Sequence, residues 1–271
     1  MAVVSSDNVS FASTAKNVIV EYDNDGVKTY ICPNFVLTDK VDFYSPVNFT
    51  AKAGSYDRQP NAKTESNIKY NSVCLPFALD ANQLSATAQI LTFSTWDEAN
   101  TVNFNKAEGN KINAGTPCLI LDETATEWSA INFGNTPIIA APNNDGNMKG
   151  TFVKTAQYGK EANGGSTEYY SVNTDNKFQT LANTLTAFRA CLYLHSDTEF
   201  GKEDASKAQT FSIVIDGGDN NDGTTRIDGI GESGEDNNCE MYNLQGHKVG
   251  NNIKSLPRGI YIKNGKKVLV K

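Results

Sequence analysis

The sequence predicts an all-β chain: an antiparallel β-sandwich followed by a small C-terminal β-hairpin unit. Three observations predict it. Short runs of β-branched and aromatic residues recur along the 271 residues, separated by Gly, Asn and Asp turn chemistry. Several runs alternate apolar and polar residues with the period of two that a half-buried strand requires. No long amphipathic helix competes; the best helical candidate is the short piece 80–86.

The first clear element is a hairpin. Strands at 18–22 and 27–31 flank Asp23-Asn24-Asp25-Gly26, and Asp-Gly supplies the positive φ angles of a tight turn. Further strands are expected at 41–44, 47–52, 68–74, 88–94, 117–121, 128–133, 150–155 and 168–172. Near the end of the body, Phe188, Ala190, Leu192 and Leu194 alternate with Arg189, Cys191 and Tyr193. Phe211, Ile213 and Ile215 alternate with Thr210, Ser212 and Val214. Each set places one series in a core and the other on the opposite face. Many short strands at modest spacing suit a sandwich. Jelly-roll and immunoglobulin-like topologies both stay open, as does a division of the body into two sub-sheets near 34–70.

The pattern breaks at Asp216-Gly217-Gly218-Asp219-Asn220-Asn221-Asp222-Gly223, where no residue favours burial. The expected organisation is a body at 1–215, an acidic linker at 216–224 and a β-tail at 225–271. In the tail, Asn264-Gly265 joins two apolar-containing strands, the strongest short-range hairpin signal.

Charge separates these pieces. The chain carries −7 overall. From Cys239 onward there are seven basic residues against one acidic, a net +6, so the preceding 238 residues carry −13. An acidic body argues against nucleic-acid binding, which needs Lys and Arg against phosphate. No apolar run approaches the ~20 residues of a membrane helix. The opening Met1-Ala2-Val3-Val4-Ser5-Ser6 lacks the charged and apolar regions of a signal peptide. Five cysteines, Cys32, Cys74, Cys118, Cys191 and Cys239, fit no zinc spacing; buried free thiols are the expectation, with one disulfide as the alternative.

Six stretches together resemble a β-sandwich module of secreted and surface proteins of Bacteroidota. They are 34–58 (NFVLTDKVDFYSPVNFTAKAGSYDR), 70–79 (YNSVCLPFAL), 113–121 (NAGTPCLIL), 149–155 (KGTFVKT), 169–172 (YYSV) and 185–194 (LTAFRACLYL). The tail, EMYNLQGHKV followed by PRGIYIKNGKKVLVK, is similar to short sorting domains read by the type IX secretion machinery. The matching positions are Tyr242, Asn243, Leu244, Gly246, Val249, Gly259, Ile260, Tyr261, Ile262, Lys266 and Lys267. This resemblance implies export, contact between tail and export machinery, and a location outside the cell or on its outer surface. It implies no enzymatic activity.

The residues themselves offer little catalytic machinery. His195 and His247 have no metal-sharing neighbour, and no Ser sits in a nucleophile elbow. The carboxylate pairs Asp97-Glu98, Asp122-Glu123 and Glu203-Asp204 read as solvated turns rather than a glycosidase pair. Asp216, Asp219 and Asp222 offer the oxygen ligands calcium takes, but their spacing fails the EF-hand pattern; a flexible linker is the default. No metal, cofactor or catalytic residue is therefore expected. Trp96, Trp128, Tyr169 and Tyr170 are the candidates for stacking on sugar rings, against a default of packing inside the fold. Tyr169 and Tyr170 are strand neighbours and point to opposite faces. The expected function is a non-catalytic adhesion, interaction or spacer module with a surface glycan or protein as partner. Carbohydrate binding through exposed aromatics is the alternative.

Overall fold

The computed structural model describes residues 1–60, 70–97, 101–123, 125–159, 169–194, 210–216, 241–243, 248–250, 259–263 and 266–270. Its elements are overwhelmingly strands, so the chain is all-β. It forms two compact units, Met1–Gly217 and Gly218–Lys271.

The first unit is organised by a nine-stranded sheet. Its strand order is Met148–Thr151, Arg189–Tyr193, Tyr169–Val172, Lys177–Thr180, Thr210–Asp216, Thr101–Lys106, Gln89–Asp97, Cys118–Leu121 and Tyr70–Val73. The sheet curls until its last strand meets its second. There the Cys74 N–H donates to the Phe188 carbonyl at 3.3 Å, and the Ala190 N–H to Ser72 Oγ at 3.4 Å. Alternating side chains fill the inside of this curl: Leu91, Phe104, Leu119, Phe178 and Leu192 are fully excluded from solvent. Each such side chain stabilises the fold by roughly 1.5–3 kcal/mol through burial.

The outer face of three of these strands builds a second core. Val73, Ile90, Cys118 and Ile120 turn away from the first core. They pack on a three-stranded sheet (Ile131–Phe133, Gly54–Asp57, Phe35–Thr38) and a five-stranded one (Ala2–Ser5, Val18–Asn24, Val27–Cys32, Phe49–Ala51, Thr136–Ile138). Phe35 sits at the centre, edge-on to Phe49 at 5.1 Å and 5.3 Å from Phe133. Gly54 has φ +130°, and a Cβ there would overlap the Phe35 carbonyl. Only glycine lets the two strands approach this closely.

The sheets are mixed rather than purely antiparallel. Ala2–Ser5 runs parallel to Val18–Asn24 because the connection passes through a short helix, Val9–Thr14, long enough for a crossover. Parallel pairs also join Thr101–Lys106 to Thr210–Asp216, Val27–Cys32 to Phe49–Ala51, and Phe35–Thr38 to Gly54–Asp57.

Other local expectations are corrected. Residues 41–44 form a loop, in which Phe43 is buried and its N–H donates to the Phe152 carbonyl, while Val41 and Tyr44 are exposed. The helix expected at 80–86 shrinks to one turn, Ala81–Gln83, begun by Asp80 accepting from the Asn82 N–H. Phe188 leaves the alternation of its neighbours: its φ of +61° turns its ring into the second core, while Ala190 and Leu192 line the first. The hairpin turn is as read, with Asp25 at φ +54° and Gly26 at φ +85°.

In the second unit, Gly259–Lys263 pairs antiparallel with Lys266–Val270. Met241–Tyr242 and Lys248–Gly250 extend this pair to a four-stranded antiparallel sheet. Tyr242, Gly259, Tyr261, Lys266 and Lys267 lie on its strands, and Asn243 follows the first of them. Leu244 and Gly246 fall outside the described residues. No described helix is long and apolar enough to cross a membrane.

Candidate functional site

An open groove of about 560 Å³ lies on the five-stranded sheet, lined by strands Val27–Cys32, Phe49–Ala51 and Thr136–Ile138 and their flanks. The Asp25-Gly26 turn fixes its construction. It pairs Glu21 with Tyr30 and Asp23 with Lys28, so these four share one face. Lys28 Nζ donates to Glu21 Oε1 at 2.8 Å. That bond, then one from Tyr30, holds the Glu21 carboxyl below its ordinary value. The opposite face carries Thr29 and Ile31, continued across the sheet by Thr50 and Pro137. Lys52 Nζ reaches Asn135 Oδ1 at 2.9 Å, and Asn48 Oδ1 accepts the Ala140 N–H at 2.8 Å. Ile31, Thr50 and Pro137 line the groove on this face with Lys52 and Asn48 beside them, while Phe49 and Ile138, which also border it, are buried in the second core.

Away from the groove, two buried polar networks tie the layers together. Asp39 receives Arg189 through both oxygens at 2.7 and 2.8 Å, and the Tyr56 hydroxyl at 3.0 Å. Burial raises the Asp39 carboxyl, but the Arg189 bonds and the Arg58 charge outweigh it, and the net shift is downward. Arg58 is only 4% exposed. Its two terminal nitrogens donate to the Ser72 carbonyl, and its guanidinium lies 5.8 Å from the Trp128 ring. Burial, then the Arg189 charge, pulls it down to about 10, so it stays cationic at neutral pH.

The second network centres on Asp122, expected as a solvated turn residue and found buried. It accepts Ser85 Oγ at 2.6 Å, Thr87 Oγ1 and Trp128 Nε1 at 2.9 Å, and the Ala125 N–H at 3.0 Å. Burial pushes the carboxyl up, but these four donors prevail and bring it to about 2. Such a carboxylate is a staple, committed to holding its donors.

The aromatic candidates do not form one platform. Trp128 and Tyr170 are buried, Trp128 by its bond to Asp122 and Tyr170 edge-on to Phe211 at 4.8 Å. Trp96 is half-buried, 6.5 Å from Phe211. Tyr169 is half-buried in register with Tyr193, ring centroids 4.9 Å apart, and Lys149 Nζ stands 5.6 Å from the Tyr193 ring. Sequence reading missed Tyr193 and the groove residues; the cross-strand partner of Tyr169 is invisible without the register.

Cys32, Cys74, Cys118 and Cys191 are buried free thiols. Burial pushes Cys32 up to about 11 and Cys118 and Cys191 up to about 12, the opposite of an activated nucleophile. Among the described residues no three His, Cys, Asp or Glu side chains gather to hold a metal ion. Asp216 ends a described strand; Asp219, Asp222, His195, His247 and Cys239 lie outside the described residues. No protein-family model matches the chain, and neither a curated protein nor a solved structure matches it.

Proposed function

We propose that this chain is a non-catalytic interaction module that works outside the cell, with the groove as its contact site and the basic tail serving export or surface display. The carrying observation is the groove: a concave stretch of the five-stranded sheet where Ile31, Thr50 and Pro137 lie beside Lys52 and Asn48. Concave apolar surface with a few placed polar groups is the general form of a binding site. The half-buried Asp39 and the buried Asp122 are engaged by donors, and the described thiols are raised, which favours binding over chemistry. The extracellular part of the reading rests on the resemblance of the tail to sorting domains.

Two experiments test it. Beads coated with the protein are scored for adhesion to immobilised polysaccharides and extracellular proteins. Thr50→Arg, which fills the groove, is expected to abolish whatever adhesion the wild type shows; unchanged adhesion removes the groove from the reading. Deleting 226–271 is expected to stop surface delivery while the body stays folded, and unchanged localisation sinks the role of the tail.

A second reading, carbohydrate binding, is favoured by the paired half-buried rings of Tyr169 and Tyr193 beside Lys149. Tyr193→Ala would then remove polysaccharide adhesion while Thr50→Arg left it intact.

A further inference from the structure

Beyond the groove, we infer that the outer margin of the strand Ala2–Ser5 is a second contact site, which takes an extended, uncharged segment of another polypeptide as an added antiparallel strand.

The margins of the body carry the first part by contrast. An edge strand leaves main-chain N–H and C=O groups open to any chain that can pair with them, and folded proteins guard against this. Three margins here are guarded. Thr136–Ile138, one edge of the five-stranded sheet, contains Pro137, which has no N–H to donate. Phe35–Thr38, an edge of the three-stranded sheet, is closed by Asn17, whose amide donates to the Val36 carbonyl at 3.0 Å and accepts the Val36 N–H at 2.8 Å. Met148–Thr151, an edge of the nine-stranded sheet, is closed the same way by Asn144, which bonds the carbonyl and N–H of Gly150 at 3.0 and 2.7 Å. Each asparagine stands in for a missing strand. Ala2–Ser5 is the other edge of the five-stranded sheet, and it has no proline and no charged side chain. Among the described residues no side chain bonds the main chain of Ala2, Val3 or Val4.

The phase of the ladder identifies the open groups. The two-residue turn makes Asn24 and Val27 a bonded pair, and bonding alternates from there. Ile19 and Glu21 therefore turn their main-chain groups toward Ala2–Ser5. In a parallel pair the residue registered with such a rung turns its own groups outward, and Val3 registers with Ile19. The Val3 N–H and C=O thus face away from the sheet, with no strand opposite them among the described residues. The Val3 side chain stands beside Ile19 at the margin of the second core and is 37% exposed. Two residues back, the Met1 nitrogen donates to the Tyr44 carbonyl at 2.8 Å, so exposed Tyr44 bounds the site at that end.

These groups define the occupant. An N–H and a C=O on one residue are matched by the C=O and N–H of one residue in an added strand. Antiparallel addition gives the more stable pairing. The residue directly opposite Val3 shares its face, where an aliphatic side chain packs against it. With no charge on Ala2–Ser5 to pair, an uncharged segment suits the edge. A second copy of this chain is the poorer fit. A two-fold axis through Val3 would bring each Ser5 opposite the other copy's Met1, where Tyr44 already stands. A free segment turns away before it.

The test uses the full chain and fluorescence polarisation with a labelled octapeptide of alternating valine and threonine, and with two versions of it, N-methylated at every valine or at every threonine. A valine opposite Val3 turns its own N–H to the edge, so valine methylation removes the bonds and threonine methylation leaves them. Expected is saturable binding of the parent peptide, unchanged by threonine methylation and at least about tenfold weaker, or roughly 1.4 kcal/mol, after valine methylation. Val3→Pro removes the outward N–H without touching a ladder bond, and Val3→Lys supplies the guard this edge lacks. Both variants, checked for folding by circular dichroism, are expected to abolish binding, while Thr50→Arg in the groove leaves it unchanged. No binding of the parent peptide, valine methylation that costs no more than threonine methylation, or undiminished binding to Val3→Lys overturns the inference. So does a dimer in sedimentation that Val3→Lys dissolves, since the edge then serves a second copy. If Thr50→Arg abolishes peptide binding and Val3→Lys does not, the peptide belongs to the groove: the edge falls and the groove stands. If Thr50→Arg leaves adhesion unchanged while Val3→Lys abolishes peptide binding, the groove falls and the edge stands.

Discussion

The two cores of the body are built by different means. The core inside the curled sheet is enclosed by long ladders, such as Gln89–Asp97 against Thr101–Lys106, and its described members are apolar or aromatic. The second core is bordered by strands of three or four residues, including Phe49–Ala51, Ile131–Phe133 and Phe35–Thr38. Strands this short have few ladder bonds of their own. Buried polar side chains complete the specification there: Asp122 gathers Ser85, Thr87 and Trp128, and Asp39 joins Arg189 to Tyr56. Alternation alone builds one core, whereas fixed anchors are needed where strands are too short to find their own partners.

The largest expected effect tests the apolar side of this contrast. Phe104→Ala in the curled sheet should cost about 4 kcal/mol in urea unfolding, the range for emptying a packed aromatic site. Gly54→Ala, which forces a side chain against the Phe35 carbonyl, should cost roughly 3 kcal/mol from strain and displacement. Asp122→Ala should cost about 2.5 kcal/mol, since Trp128 Nε1 and two hydroxyls lose a charged acceptor. A Trp128 fluorescence change at low denaturant is expected with it. If Asp122→Ala unfolded no more easily than the wild type, the anchors would be ornament and the contrast would collapse.

Acid sharpens the same point. Asp122 sits at about 2 in the folded chain against an ordinary 3.8. A lowered folded value means the stabilisation is complete above the unfolded value and is lost as pH falls from about 4 through 2, roughly 2 kcal/mol in all. Asp122→Asn should flatten that part of the stability profile measured by thermal unfolding. The smallest effect is expected at the groove: Lys28→Ala should leave urea unfolding unchanged within error, because its ion pair with Glu21 is solvent-exposed, while weakening adhesion.

The same division explains what was legible in the sequence. Asp25-Gly26 announced its hairpin, and the period of Phe211, Ile213 and Ile215 announced a strand with one face in a core. These signals are local. The curl of the sheet depends on Tyr70–Val73 meeting Arg189–Tyr193, which no local pattern encodes. Trp128 packs inside the fold, as the default reading had it, but its acceptor Asp122, read as a solvated turn, is buried with it, because the bond that joins them forms only once the chain has folded. The groove was unreadable for a related reason. Its residues are unremarkable until register brings Thr50 beside Ile31 and stops short of Lys28.

The closure of the large sheet also has a consequence in time. Ser72 and Ala190, which meet where it closes, are 118 residues apart in the chain. Thr101–Lys106 pairs with Thr210–Asp216, so the middle of the sheet waits for the last strand of the body. Contacts this distant in sequence slow folding, because chain closure must precede the bonds that reward it. During synthesis the apolar strands between residues 70 and 121 therefore emerge well before their final partner. Until Thr210–Asp216 arrives, Thr101–Lys106 presents an open, aggregation-prone edge. A chaperone that holds the nascent chain is expected to raise the yield of folded protein more than any single stabilising substitution.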